Sequence, residues 1–524
     1  MPAQPSTISL MQAQLSFVPL AEIVTELLVV LAADAQTERK SGAKPAVTLL
    51  TTDPVVESAA ASVLGSGEFK AGANETVLIH APHGLLSKRL LVIGLGKCGK
   101  VTAQSLRNAA GTAVRFAKPR GIRELALALP ASEGELYAAA GVSDASAVKS
   151  AVEGALIGDF DPDTYRSDRK DQSIQLLTLL SSTESDRQAL ESALGQGVIV
   201  GESQNFARAL VNEPGNKLTP TILGQCAQAM AKQVGLECEV LSTEELKELK
   251  MGAFWAVAQG SVEPPALIVL RYTPDRASDG PVLGLVGKGI TFDTGGISIK
   301  PADNMERMKY DMAGGAAMVG AMRAVALLRP GVRVIAIVCA AENMPSGTAQ
   351  KPGDVQTAMP ISPDKSGKTI EVINTDAEGR MVLADGLTYA RRLGATHLID
   401  AATLTGAISV ALGKITGGVF SNDEPTYAKF ESALESSGEK FWRLPLGEEY
   451  ADLIKSDIGD IKNTGGRFGG AITAAEFLHV FAEETPWIHL DIAGIAWVED
   501  ARPYIAKGPS GAAMRSILEW VRSY

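Results

Sequence analysis

Histidine and cysteine are scarce in this chain, and their placement excludes more than their number. The five histidines, His80, His83, His397, His479 and His489, are scattered and no H-E-x-x-H occurs, so oxygen ligands would have to hold most of any metal. The four cysteines, Cys98, Cys226, Cys238 and Cys339, form no C-x-x-C pair, which removes a zinc knuckle and a disulfide framework. They are expected as isolated reduced thiols packed like small hydrophobes. Positive charge is also short. With 49 Lys and Arg against 60 Asp and Glu the net charge is −11, and non-specific nucleic-acid binding rests on neutralising phosphates. No apolar run reaches the roughly 18–20 residues that cross a bilayer. The most apolar early segment, residues 23–33, is broken by Glu26 and has no basic region before it, which argues against a secretory signal. A cytoplasmic protein with no membrane partner is expected. No repeat of 20–50 residues and no low-complexity segment is found.

What is present is an ordinary globular composition, 46% hydrophobic and 21% charged, spread over 524 residues. That length exceeds one core and predicts two to three domains. Up to about residue 180, short strand patterns (23–31, 46–51, 75–79, 89–93, 125–129, 173–180) alternate with helical ones (103–117, 147–157), as in a small α/β domain. Inside it, Gly94, Gly96 and Gly99 match G-x-G-x-x-G after a strand. The region about 20 residues on is basic rather than acidic, so a tight turn is expected instead of a dinucleotide site. A long helical pattern over 182–211 ends at Asn212-Glu-Pro-Gly-Asn216, and Thr219-Pro220 opens the next helix. The expected organisation is an N-terminal domain over 1–181, a connecting helix over 182–211 and a larger C-terminal domain over 212–524. In the second half, nearly all-apolar strand patterns (266–272, 282–286, 332–339, 369–373, 397–400, 487–492) alternate with helical ones (315–328, 381–393, 426–437, 471–482), predicting a mixed sheet covered on both faces by helices.

The stretch from Lys365 to Arg380 carries the most chemistry. Turn residues lead into a β-favouring run, and then come Asp376, Glu378 and Arg380 in what reads as a polar loop before a helix at Met381. Two close carboxylates repel unless a cation or a proton lies between them. A metal site and a solvated acidic turn both fit that spacing. Upstream, Val286 to Lys300 sets Lys288, Asp293 and Lys300 among closely spaced glycines, and Asp311 stands just before a helix, where an N-cap role is the plainer expectation. Asp293, Asp311, Asp376 and Glu378 lie at or beyond predicted strand ends, where open α/β sheets place ligands. Four carboxylates suit a pair of divalent ions.

Asn374-Thr-Asp-Ala-Glu-Gly-Arg380, with Val286-Gly-Lys-Gly-Ile-Thr-Phe-Asp-Thr-Gly-Gly-Ile-Ser-Ile-Lys300, closely resembles the leucyl (cytosol) aminopeptidases. The likeness runs from about Phe206, through Asn212-Glu-Pro-Gly-Asn-Lys-Leu-Thr-Pro220, to Leu490-Asp-Ile-Ala-Gly494. Met381 and Thr294 stand where the family more often has Leu and Ser, and neither touches a charged position.

The resemblance implies two divalent metals per subunit, manganese or zinc foremost. Asp293 and Glu378 would bridge them, Lys288 and Asp311 would complete one site, and Asp376 the other. It implies Lys300 as the group that polarises the scissile carbonyl and Arg380 as the holder of a bicarbonate that carries the proton. Asn374 with Met308, Thr403, Gly406 and Ala471 would contact substrate and line an apolar pocket for the first side chain, favouring Leu or Met. Peptides would be the substrates and a homohexamer the assembly. Two other classes stay open on the residues alone. A dimetal phosphoesterase would use the same carboxylates. A DNA-binding accessory role would use the basic residues between Lys88 and Arg123, which a solvated face explains equally well.

Overall fold

The computed structural model describes residues 11–35, 46–130, 142–182, 184, 186–275 and 279–524. The expected N-terminal domain therefore includes positions, 1–10 among them, that lie outside the described residues. The chain divides into two compact units. One comprises the described residues up to Asn205 with Glu499–Lys507; the other comprises Phe206–Val498 with Gly508–Tyr524. The helix Arg187–Asn212 carries the chain from the first to the second.

In the first unit Leu27–Asp34 (LLVVLAAD) is buried at every position, which its unbroken apolar sequence requires of a strand covered on both faces. It lies parallel to Arg89–Lys97 and Glu124–Ala128 in a seven-stranded sheet. The strand expected at 23–31 begins later because Leu20–Glu22 forms a 3-10 turn, and Glu26 takes the backbone amide of Arg123 at 2.8 Å. The strand Gln12–Ser16 and the helix Pro54–Ser66 were not expected. The helix does carry its signals: Asp53 accepts from the amides of Val55 and Val56, Pro54 opens it and Gly67 closes it left-handed. Gly94 and Gly96 do not form a turn but lie inside the strand Arg89–Lys97. A Cβ on Gly94 would sit 2.2 Å from the carbonyl oxygen of Gly72, so glycine lets the 71–75 segment cross the strand. Of the basic residues between Lys88 and Arg123, three are tied inward. Arg107 pairs with Glu153 at 2.7 Å, Arg115 with Asp161, and the buried Lys118 with Asp159 and Asp161 at 2.9 and 2.7 Å.

The second unit is built on an eight-stranded mixed sheet. Its centre is Val282–Asp293, twelve residues almost wholly buried, parallel to Arg333–Asn343 on one side and His397–Ala402 on the other. Trp487–Asp491 continues the parallel run, and antiparallel strands close both flanks. The helix Ala313–Leu328 packs on these strands with thirteen of its sixteen residues buried. The segment Met305–Leu328 is long and apolar enough to cross a membrane by length and composition, although no such run was expected. Its most apolar window is 83% buried inside the unit, as in a core helix. A smaller sheet of Val355–Thr357, Thr369–Glu371 and Ile461–Lys462 stands apart. The unit is tied across its sequence where buried Arg208 donates through Nε to the carbonyl of Pro509 at 2.8 Å.

Candidate metal centre

The central strand delivers two charged groups. Lys288 projects from its middle and Asp293 ends it, in register with Asn343 at the end of the neighbouring strand. Asp311 closes the 3-10 turn Met305–Tyr310. It is not the N-cap of the following helix: Met312 holds that position without a side-chain cap, and Asp311 instead accepts from Thr403 Oγ1 at 2.7 Å. The helix expected from Met381 starts at Glu378, so Glu378 and Arg380 belong to its first turn rather than to a loop. A carboxylate there is favoured by the helix dipole. Gly379 is required at its position, since a Cβ would stand 2.8 Å from Cδ and Cε of Lys288.

The charges interleave. Lys288 Nζ lies 2.8 Å from Asp311 Oδ2, 2.7 Å from Glu378 Oε1 and 2.9 Å from the carbonyl of Thr403. Lys300 Nζ lies 2.7 Å from Asp293 Oδ2 and also contacts Asp376 Oδ1. One carboxylate oxygen each from Asp293, Asp376 and Glu378 falls within 4.8 Å of the others. Burial raises the carboxyl pKa of Asp311, Asp376 and Glu378, and neighbouring carboxylates add to it. Burial alone would lower both lysines, but the carboxylates around them outweigh it and hold both above the usual range. The ammonium groups thus stand where cations are called for, two against four carboxylates. Asp311 Oδ2 and Asp376 Oδ1 are each held by an ammonium, Lys288 and Lys300 respectively, so each already faces a positive charge where a metal cation would stand. An oxygen-rich, net-negative, buried donor set of this kind fits hard or borderline divalent ions.

Three residues with no role expected from the sequence support this set and its surrounding loops. Asn343 Nδ2 donates to Asp293 Oδ1 at 2.8 Å, to the carbonyl of Thr375 at 3.1 Å and to Glu378 Oε2 at 3.3 Å. Asn463 fixes the acidic loop: Oδ1 accepts from the amides of Ile373 and Asn374, Nδ2 donates to the carbonyl of Asn374, and its own carbonyl takes Arg380 Nη1 at 2.8 Å. Asp491 accepts from Thr405 Oγ1 at 2.6 Å and from the amide of Leu404. Asn343 and Asp491 each close a mostly apolar strand with a buried polar side chain, and that was the available signal.

The remaining expected residues are distributed around this centre. Arg380 is buried, with its pKa lowered by burial to about 10 against the pull of Glu378 and Asp491, and its Nε has no hydrogen-bond partner. Asn374 is exposed and accepts from the amide of Asp376 at 2.9 Å. Thr403 is bonded into the centre through Asp311 and Lys288. Met308 lies in the 3-10 turn before Asp311, Gly406 opens the helix Gly406–Leu412, and Ala471 lies in the helix Gly470–Ala482 that packs on it.

Comparison with known proteins gives a consistent picture. The model of the cytosol aminopeptidase family, catalytic domain, matches residues 205–518, and that of the family's N-terminal domain matches 37–169. The chain is 59% identical to a protein named "Probable cytosol aminopeptidase" from Acidobacterium capsulatum, over 98% of this chain and 100% of the relative. A protein of the same name from Koribacter versatilis is 57% identical over 98% and 100%. Among solved structures, a variant of tomato leucine aminopeptidase superposes with a TM-score of 0.84 at 33% identity, covering 98% of this chain and 97% of that one. The bottromycin maturation enzyme BotP, in complex with Mn, superposes at 0.80 with 33% identity, over 95% and 99%.

Proposed function

The chain belongs to the cytosol aminopeptidase family and is a metal-dependent peptide hydrolase, and from that premise we propose that it is a leucyl-type aminopeptidase working with two divalent cations. The observation that carries the two-cation reading is the imbalance at the centre: four carboxylates, three of them fully or nearly buried, face only two ammonium groups. In this reading Asp293, Glu378, Lys288, Asp311 and Asp376 would hold the two cations, Lys288 and Asp311 serving one site and Asp376 the other. Lys288 must release a proton to serve as a ligand, so loading is coupled to proton release. Manganese and zinc are the favoured ions, and the Mn complex of BotP is in keeping with manganese. When bound, the cations acidify water and polarise the scissile carbonyl.

The chain's own residues do the rest. The Lys300 ammonium, which lies against Asp293 and Asp376, would donate to the oxygen that gains charge as the peptide bond is attacked. Arg380, with one nitrogen on the Asn463 carbonyl and Nε unpartnered, holds a planar oxyanion such as bicarbonate and places it to move a proton. Asn374 orients the peptide, while Met308, Thr403, Gly406 and Ala471 line the pocket of the first side chain. A methylene there is worth only about 1–3 kcal/mol, so Leu is preferred within a broad apolar range.

We place the enzyme in the cytoplasm as a homohexamer, with 1–181 as the N-terminal domain, 182–211 as the connecting helix and 212–524 as the catalytic domain. The test is hydrolysis of leucine p-nitroanilide by the purified protein. Activity should disappear on chelation and return with manganese or zinc, and p-nitrophenyl phosphate should not be cleaved. A folded protein inactive with every divalent ion, or one that cleaves only the phosphate ester, would overturn the reading.

A further inference from the structure

The second unit holds a cavity of about 440 Å3, within the about 300–1000 Å3 of small-molecule sites. It shares no residue with the metal centre or with the pocket proposed for the first side chain. Lys247, Lys250 and Lys365 line it together with Trp255, Thr357 and Ser366, and among the described residues no carboxylate does. In a chain of net charge −11 that balance stands out. Lys247 Nζ lies 4.2 Å from the centroid of the half-buried Trp255 ring, which puts one ammonium at the aromatic wall. Asp364 and Glu483 feel the charge of Lys365, but neither lines the cavity.

The walls are fixed in place. The segment 247–255 meets the strand Val355–Thr357 so closely that a Cβ on Gly252 would stand 2.2 Å from the carbonyl oxygen of Thr357. Buried Asp385 ties the same two walls together, accepting from the amide of Phe254 at 2.8 Å and from that of Met359 at 2.7 Å. Lys250 itself sits at φ 59°, a left-handed conformation that a residue with a side chain holds only at a cost. Three lysines on one small volume match an anion with several acceptor oxygens. A phosphate monoester carries about −1.5 to −2 charge and three such oxygens, where a carboxylate offers two. The hydroxyls of Thr357 and Ser366 add neutral donors, and Trp255 offers an apolar surface to the rest of the molecule.

We propose that this cavity binds a phosphate monoester with a flat organic group, its phosphoryl held by Lys250 and Lys365 and its ring lying against Trp255. The site stands independently of the aminopeptidase reading. Isothermal titration calorimetry on the metal-loaded enzyme tests it, with AMP, adenosine and inorganic phosphate as probes. AMP should bind once per chain and at least about tenfold more tightly than either fragment, since the loss of one charge-assisted hydrogen bond has that effect. Lys250→Gln and, separately, Lys365→Gln should each weaken AMP about tenfold. Trp255→Ala should bring AMP down to the level of phosphate. No binding of AMP, or equal affinity for AMP and either fragment, would overturn the inference. So would AMP binding that survives all three substitutions, because the nucleotide would then sit elsewhere, on the metal ions for instance.

Discussion

Each unit buries lysines among carboxylates, and the two clusters behave differently. In the first unit Arg107, Arg115, Lys118 and Lys149 face Glu153, Asp159 and Asp161, four cations to three anions. Asp159 is raised by burial, but Asp161 ends below the ordinary carboxylate range because Lys118 and Arg115 outweigh burial. In the second unit two lysines face four carboxylates, and Asp311, Asp376 and Glu378 all end above that range. The first cluster is closed and holds structure. The second holds more carboxylates than ammoniums even with the Arg380 guanidinium close enough to feel Glu378, an excess of negative charge that added cations or protons relieve.

The sharpest way to break the contrast is Glu378→Gln. We expect kcat/KM on leucine p-nitroanilide to fall by more than the about 100-fold that loss of an outer-shell partner costs. The metal-free variant should melt no lower than the metal-free wild type, because a repelling charge has gone; a marked fall in Tm would show that the surplus charge is not a strain. Glu153→Ala should do the reverse. It takes from buried Arg107 its carboxylate partner and is expected to cost about 3–5 kcal/mol in urea unfolding. Activity per folded molecule should persist, and a specific loss of kcat would mean that the closed cluster is not merely structural.

A smaller effect is expected of Asn343→Ala, which removes the neutral donor joining Asp293 to Glu378. Metal affinity followed by competition with a chromogenic chelator should weaken about 10- to 100-fold, and unchanged affinity would separate Asn343 from the centre. The smallest concerns Asp385, a buried acid outside both clusters. Burial raises it from 3.8 to about 7, against the lowering effect of the amides of Met359, Phe254 and Ala253. An acid whose folded pKa is raised contributes stability at low pH that is lost as pH rises from about 4 through 7. Asp385→Asn should flatten that part of the urea-midpoint profile, while losing about 1–3 kcal/mol overall for the amide left unpaired. A slope equal to the wild type's would clear Asp385 of the effect.

Much of the fold could be read from the chain because its strands are plain. Val282–Asp293 and Leu27–Asp34 are unbroken apolar runs that admit only a covered sheet. The strand Gln12–Ser16 alternates polar and apolar over five residues only and left no such signal. At the site, the charged positions were visible because acids and lysines among glycines are conspicuous. Asp311 shows the limit of local reading: position before a helix suggested a cap, but the side chain answers to Thr403 and Lys288, groups remote in sequence. Asn343 and Asn463 were silent for the same reason, since their work is defined by partners up to 90 residues away.

The bond from Arg208 to the carbonyl of Pro509 spans 301 positions, and that separation has a consequence in time. At about 5–20 residues per second, roughly 15–60 s of synthesis pass between the two partners. Through that interval Asp293, Asp311, Asp376 and Glu378 are all synthesised before the tie can form. Ribosome-bound chains stalled before residue 509 should be cut readily between Phe206 and Val498 and become protected once 509 has emerged. Early protection would show that the catalytic unit closes without its last tie.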